Sequence, residues 1–201
     1  SMSVAATRKS TIRNESNQLQ EGLTWSTVTS GDFSIRYSSA GALFDNGGCT
    51  LFSGKKDDLP VFASFLNSAA MALLRALSPT LNFQPGVIGS IPIIDAIYGK
   101  ADKESISNLI AVSKSDWDSF ETSWDFRWFA LLDPNQGAQV GDLLEEAVSH
   151  LREYWDRVSE EQHQREILNN ELVADVYGVR DDVPCDVPLE RVSLKRNVAF
   201  A

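Results

Sequence analysis

Asn82 and Gln84, on either side of Phe83 in the stretch LNFQPG, carry the most specific chemistry this chain offers. A side-chain amide presents a donor beside an acceptor, the pattern that pairs twice with an adenine edge. The same amides also tie down irregular backbone by bonding neighbouring main-chain groups, and the local sequence favours that role. Arg36 stands in an alternating pattern, and Lys55-Lys56 precede a helical one. Such cations are ordinary surface charges unless the fold sets them against phosphates.

Other chemistry is thinly represented. His150 and His163 lie 13 residues apart on one helical pattern, do not share a turn, and read as solvated or packing groups. Neither a GxSxG nucleophile nor a GxGxxG or GxxxxGKS phosphate loop occurs. Asp133-Pro134 in LDPNQG lacks the aromatic residue of an Asn/Asp-Pro-Pro-aromatic methyl-transfer motif and reads as a turn. Cys49 and Cys185 have no CxxC partner, which points away from zinc and disulfides and toward a reducing cytoplasm. Trp117, Phe120, Trp124, Trp128 and Phe129 could stack on bases. The acids among them, Asp116, Asp118, Glu121 and Asp125, repel phosphate, so the expected role is packing.

The elements that must position these residues follow from periodicity. Residues 1–22 are polar and aperiodic, a linking arm. LTWSTVTS, FSIRYSS and CTLFSG read as short strands, with Asn46-Gly47 as a turn. Val61, Phe62, Phe65, Leu66, Ala69, Leu73 and Leu77 recur at helical spacing, giving an amphipathic helix over 60–77 that stops before Pro79. VIGSIPI and IPIIDAIYG read as extended, and Pro92 suits an edge strand. A helix is expected over about 101–113, then a second one starting at Ser115 as N-cap. A long helix runs from Asp142 to about Tyr177 with a heptad seam at Leu144, Ala147, Leu151, Tyr154, Val158, Glu161, Arg165, Leu168 and Leu172. The fold class is therefore α+β: a small mixed α/β unit over 23–98, a helical spacer over 99–178 of antiparallel helices or coiled coil, and a tail over 179–201.

The 201 residues carry a net charge of −10. Residues 1–100 hold 8 Lys/Arg and 7 Asp/Glu, whereas residues 101–201 hold 10 and 21, so the acidity belongs to the second half. The first half stays eligible as a phosphate-contacting surface. No apolar run approaches the roughly 18 residues of a membrane span. SMSVAATRKS lacks the apolar middle of a signal peptide, and Ser1-Met2 reads as a cloning remnant before a fragment of a longer protein.

The order of four stretches is more specific than any of these alone. GLTWSTVTSGDFSIRYSSAGALFD, FLNSAAMALLRALSPTLNFQPGVIGSIPI, SKSDWDSFETSWDF and LNNELVADVYGV occur in series. Together they resemble the C-terminal part of the large adenine-specific DNA methyltransferases of bacteriophage-exclusion (BREX) systems and their type IIG restriction-modification relatives. The resemblance covers about residues 20 to 185, with a smaller similarity to the specificity subunits of type I systems. It implies a target-recognition region whose partners are double-stranded DNA and the N-terminal methyltransferase domain of the same protein. The family's S-adenosylmethionine-binding and Asn-Pro-Pro-Tyr-type motifs lie upstream. The resemblance therefore implies no catalysis and no cofactor in this chain itself.

Base reading is expected from loops of the first half, with Arg36, Ser38, Ser39, Lys55, Lys56, Asn82 and Gln84 as the candidate DNA-binding residues. The rival expectation is an acidic helical module that docks another defence-system subunit or pairs with itself through the seam.

Overall fold

The computed structural model describes residues 14–45, 47–73, 82–136, 141 and 143–196, without the side chain of Lys56. The turn at Asn46, the end of the first helix before Pro79 and most of the N-terminal arm lie outside the described residues.

Strand β1 (Gly22–Ser26) is central between β2 (Arg36–Ser38) and β3 (Gly48–Leu51), both antiparallel to it. Leu23 pairs with Tyr37 on one side and Leu51 on the other, and Trp25 pairs with Cys49. Alternation sends these residues to one face, where Leu23, Trp25 and Cys49 are buried. Arg36 and Ser38 fall on the other face. Asp45 closes the turn before β3 by accepting from the backbone N–H of Gly47 at 2.8 Å and of Gly48 at 3.0 Å.

Helix α1 (Leu59–Leu66) buries Val61, Phe65 and Leu66 against the sheet. It does not run unbroken through 60–77: residues 67–70 form turns before helical backbone returns at 71–73. The cause is a competing set of bonds. The Asn67 amide accepts from the N–H of Ile35 at 2.9 Å and donates to its carbonyl at 3.0 Å. It thereby acts as one residue of a further strand along the edge at β2. Ser68 Oγ donates to the Phe65 carbonyl at 2.7 Å, and Ala69 N–H is taken by Asn170 at 2.9 Å.

The expected extended run after Gln84 is also not a strand. It forms two short helices, α2 (Pro85–Gly89) and α3 (Ala96–Lys100). Pro85 at the first helical position fixes φ and loses no needed donor there. Ile88 and Ile97, one on each helix, insert into the core. Between them the Tyr177 hydroxyl donates to the Pro92 carbonyl at 3.0 Å and accepts from Ile94 N–H at 3.2 Å. That supplies partners a sheet neighbour would otherwise provide.

Helix α4 (Lys103–Asp118) is continuous, so Ser115 is not an N-cap. The cap is Asp102, which accepts from Ser105 N–H at 3.1 Å. Helix α5 (Leu144–Tyr177) has 34 residues, spans about 50 Å at 1.5 Å per residue, and ends on Gly178 with φ of 66°. Packed against α4, it forms the antiparallel pair: Ile110 joins the cluster holding Val173, while Val112 joins that of Trp155 and Val158.

The buried side of α5 departs from the seven-residue seam in its second half. Glu161 is exposed and Leu168 is 61% exposed, whereas Trp155, Val158, Gln162, Asn170 and Val173 are buried. A straight helix drifts by about 20° per heptad against a strict 3.5 repeat, so the contact line moves over by one residue along the helix. Among the described residues no helix is long and apolar enough to cross a membrane.

Gly22 shows how tightly β1 and β3 meet. A Cβ there would lie 2.7 Å from the Leu51 carbonyl oxygen and 2.7 Å from Thr50 Cγ2. Gly22→Ala is expected to destabilise by about 1–3 kcal/mol in a thermal or urea melt, since backbone must move. Gly54→Ala, which meets nothing within 4 Å, should stay within about 0.5 kcal/mol of the parent.

Candidate nucleic-acid interface

The seven candidate residues do not form one cluster. Ser38 pairs with Gly22 at the start of β1, and Leu51, four residues before Lys55, pairs with Leu23 beside it. Ser38, Ser39, Lys55 and the backbone of Lys56 thus belong to one end of the sheet. Asn82 bridges Val28 beyond the opposite end of β1. The two amides therefore lie across the sheet from the serines and lysines.

Ser39 and Lys55 are exposed and Ser38 is half-buried. Lys55 N–H donates to Ser53 Oγ at 3.1 Å, which shapes the loop while leaving the ammonium to solvent. On the core face, next to this end, the Tyr37 hydroxyl donates to the Glu21 carboxylate at 2.5 Å. That bond, with burial, pushes the Tyr37 pKa up to about 12.

Asn82 and Gln84 bond each other, Gln84 Nε2 donating to Asn82 Oδ1 at 2.9 Å. The residue between them is anchored on both backbone groups. Phe83 N–H donates to the Thr27 carbonyl at 2.6 Å, and its carbonyl accepts from the Trp25 indole at 2.7 Å. Its ring lies 5.0 Å from that of Phe33 in the core. The segment is thus joined to β1 through the backbone of Phe83, while the Gln84 amide bonds Asn82 rather than the main chain.

Arg36 faces the helical half. The side chain as a whole is exposed, but its guanidinium turns back to donate to the Ile35 carbonyl at 3.0 Å. There it lies in the field of Glu166 on α5. Glu166 accepts from Ser193 N–H at 3.0 Å and from Gln162 at 3.0 Å, and Gln162 also donates to Ser113 on α4 at 3.2 Å. Burial pushes the Glu166 carboxyl above the usual carboxylate range, against these donors and Arg36, which pull it down. His163 Nε2 meets the Val187 carbonyl at 2.7 Å and so must carry the proton, which makes it a tie between α5 and the tail.

The Trp/Phe cluster is not the core element its acids suggest. Helix α4 stops at Asp118, whose carboxylate takes Ser123 Oγ at 2.7 Å and Lys114 Nζ at 2.6 Å. The chain then leaves the helical face, and Trp124 is fully exposed at 103%. Trp117, Trp128, Phe129 and Leu132 are exposed with it. The buried partner of α5 is instead Gln136, which accepts from the Trp155 indole at 3.1 Å and donates to Ser119 and Asp133, each at 3.0 Å.

No protein-family model matches the chain. It is 33% identical over 186 residues to the adenine-specific methyltransferase PglX of Lacticaseibacillus casei (strain Zhang), a match covering 89% of this chain and 15% of that protein. It is 36% identical over 121 residues to the adenine-specific methyltransferase BrxX of Escherichia coli O9:H4 (strain HS), covering 59% and 10%. The chain is homologous to part of these adenine-specific methyltransferases. It spans only 15% and 10% of the length of PglX and BrxX, so most of each lies outside the shared region. The match to PglX runs over both the sheet and the helices, so the two halves are shared as one unit.

The electrostatic link across the two halves gives a pH test. Glu166 has a raised folded-state pKa, so its ionisation costs stability as pH climbs from the unfolded value, about 4.3, through the folded one. Arg36→Gln removes a field that holds that pKa down. The variant should lose stability relative to the parent at pH 7, and the difference should shrink as both carboxyls protonate near pH 4, down to whatever loss of the bond to Ile35 leaves. Urea midpoints across that range read it. A pH-independent difference would assign Arg36 no role toward Glu166.

Proposed function

We propose that this chain is the target-recognition and spacer region of an adenine-N6 DNA methyltransferase of a phage-defence or restriction-modification system. The observation that carries this reading is the similarity to adenine-specific methyltransferases over 89% of the chain. The sheet unit, residues 23–98, reads the DNA. The helices, 99–178, set its distance from the rest of the enzyme, with 1–22 as a linking arm and 179–201 as a tail. Base modification and its methyl donor, S-adenosylmethionine, belong to the remainder of such an enzyme, which works in the cytoplasm.

Within this reading, Ser38, Ser39, Lys55 and Lys56 face the duplex from one end of the sheet. Arg36, Asn82 and Gln84 hold the frame. The near-neutral first half gives few phosphate contacts of its own, so the remainder of the enzyme supplies most of the counterion-releasing surface.

Exchange of residues 24–98, within the full-length methyltransferase, for the matching segment of a relative with another target tests the proposal. Mapped N6-methyladenine should move to the donor's motif. Methylation that persists at the old motif places recognition elsewhere. Charge reversal at Lys55 and Lys56 should weaken binding alike on all sequences and lower the salt slope by about 0.9 for each phosphate no longer neutralised. Asn82→Ala should leave the motif unchanged.

A further inference from the structure

We infer that the outer face of the sheet reads base edges in the DNA major groove, with Thr24 and Thr50 as specificity-determining residues. This rests on the reading that the sheet unit meets the target, and adds which face does so and what it selects. Thr24 is the centre of one row across the sheet, paired with Arg36 on β2 and with Thr50 on β3. Alternation along the strands puts Ser38 in the row on one side of it and Ser26 in the row on the other, all on the same face. The core lies behind, where Leu23, Trp25 and Cys49 are buried. On the outer face Ser26 is exposed, and Ser38, Thr24 and Thr50 are half-buried. Ser38 also belongs to the sheet end that carries Lys55, so this face continues the surface assigned to the duplex.

Shape and chemistry choose the occupant. Three strands about 4.8 Å apart make a face about 10 Å across, too broad for the minor groove of about 6 Å and suited to the major groove of about 12 Å. Rows two residues apart lie about 6.8 Å from one another, or two base steps of about 3.4 Å, so a strand laid along the groove stays in register with the bases. The rows hold glycine, hydroxyls and Arg36, without the large anchors that centre a protein–protein contact. Phe52, at the margin, is half-buried and packs on Phe44 with ring centroids 5.1 Å apart. The three strands contain no acid. Of the acids around them, Asp45 is taken by the N–H groups of Gly47 and Gly48, Glu21 by the Tyr37 hydroxyl on the core face, and Asp32 by Arg191. Glu166 faces Arg36 from α5. A face this close to neutral suits reading of edges, with the phosphate contacts made elsewhere.

The two threonines differ in what they can select. Thr24 Oγ1 donates its single hydrogen to the Cys49 carbonyl at 3.0 Å, so toward a base it can only accept. The donors on major-groove edges are adenine N6 and cytosine N4, whereas guanine and thymine offer only acceptors there. Thr24 therefore selects A or C on the strand it meets. The Thr50 hydroxyl has no hydrogen bond among the described residues and keeps both roles. Its methyl lies against Gly22, where an added Cβ would come within 2.7 Å of it, so the bare glycine is what seats Thr50.

The test maps N6-methyladenine across host DNA for the full-length methyltransferase carrying Thr24→Val, Thr50→Ala or, as a control on an exposed residue beyond the far end of β1, Val28→Ala. Thr24→Val keeps the shape and removes the acceptor. One motif position that is A or C in the parent should become degenerate. Methylation at sites with another base there should rise about tenfold relative to cognate sites, the scale of one lost base contact. Thr50→Ala should relax the same position or its neighbour, and Val28→Ala should relax none. Thr50→Ala breaks no hydrogen bond among the described residues, so it carries the test if Thr24→Val fails to fold. An unchanged motif in both variants overturns the proposal. So does a relaxed position that is G or T in the parent, or an equal loss of methylation at every site, as a protein contact would give. If exchange of residues 24–98 moves the motif while these variants keep it, the sheet unit still reads DNA and its outer face does not.

Discussion

The structure depends on the polar face that α5 buries. A 34-residue helix this rich in charged side chains would be held weakly by apolar burial alone, yet it touches both cores. What fixes it is a ladder of side-chain amides. Asn169 accepts from the Ser64 hydroxyl and donates to the Ser64 carbonyl at 3.1 Å. Asn170 accepts from Ala69 N–H and donates to the Cys185 carbonyl at 3.1 Å. One turn earlier Glu166 holds Ser193, and before that Gln162 holds Ser113. These bonds satisfy part-buried groups whose loss would cost about 1–3 kcal/mol apiece, although Gln162 Oε1 itself is buried without a partner. The break after α1 and the path of the tail both meet these side chains, at Ala69, Cys185 and Ser193.

The tail is fastened by the same logic. Asp116 on α4 is fully buried, and its carboxylate accepts from the backbone N–H groups of Lys195 and, at 3.0 Å, Arg196. Arg196 also lies against Trp155, and Arg191 pairs with Asp32 before β2. Its Oδ2 takes both N–H donors, while Oδ1 is buried without a hydrogen-bond partner and the nearby Arg196 guanidinium offsets the charge. The acidic excess of the second half thus has two populations. A few acids build the interior, and most of the rest face solvent.

This division bears on function. At the sheet end, Ser39 and Lys55 are exposed, and the net acidity of the chain lies in residues 101–201. The Asn67 amide on Ile35, with the Arg36 guanidinium in the field of Glu166, ties the sheet to the helices.

The sequence by itself determined the α+β class, the three short strands, the extent of α5 and the split of charge between halves. Each of these is a local property: alternation, 3.6-residue periodicity and composition survive without knowledge of neighbours. Tertiary structure alone decided the rest. The run after Gln84 is rich in Val and Ile and reads as strand, but Pro85 opened a helix and Tyr177, from 83 residues away, took the backbone groups of the stretch that follows. The heptad seam does not hold at Glu161 and Leu168, because the contact line of a 3.6-residue helix drifts against a 3.5-residue repeat. The tryptophans of 117–128 follow a helical spacing, but α4 ends at Asp118, where Lys114 and Ser123 capture its carboxylate and the spacing loses its meaning. Whether an aromatic residue packs or protrudes depends on what arrives opposite it, and here Gln136 had already filled the place beside Trp155.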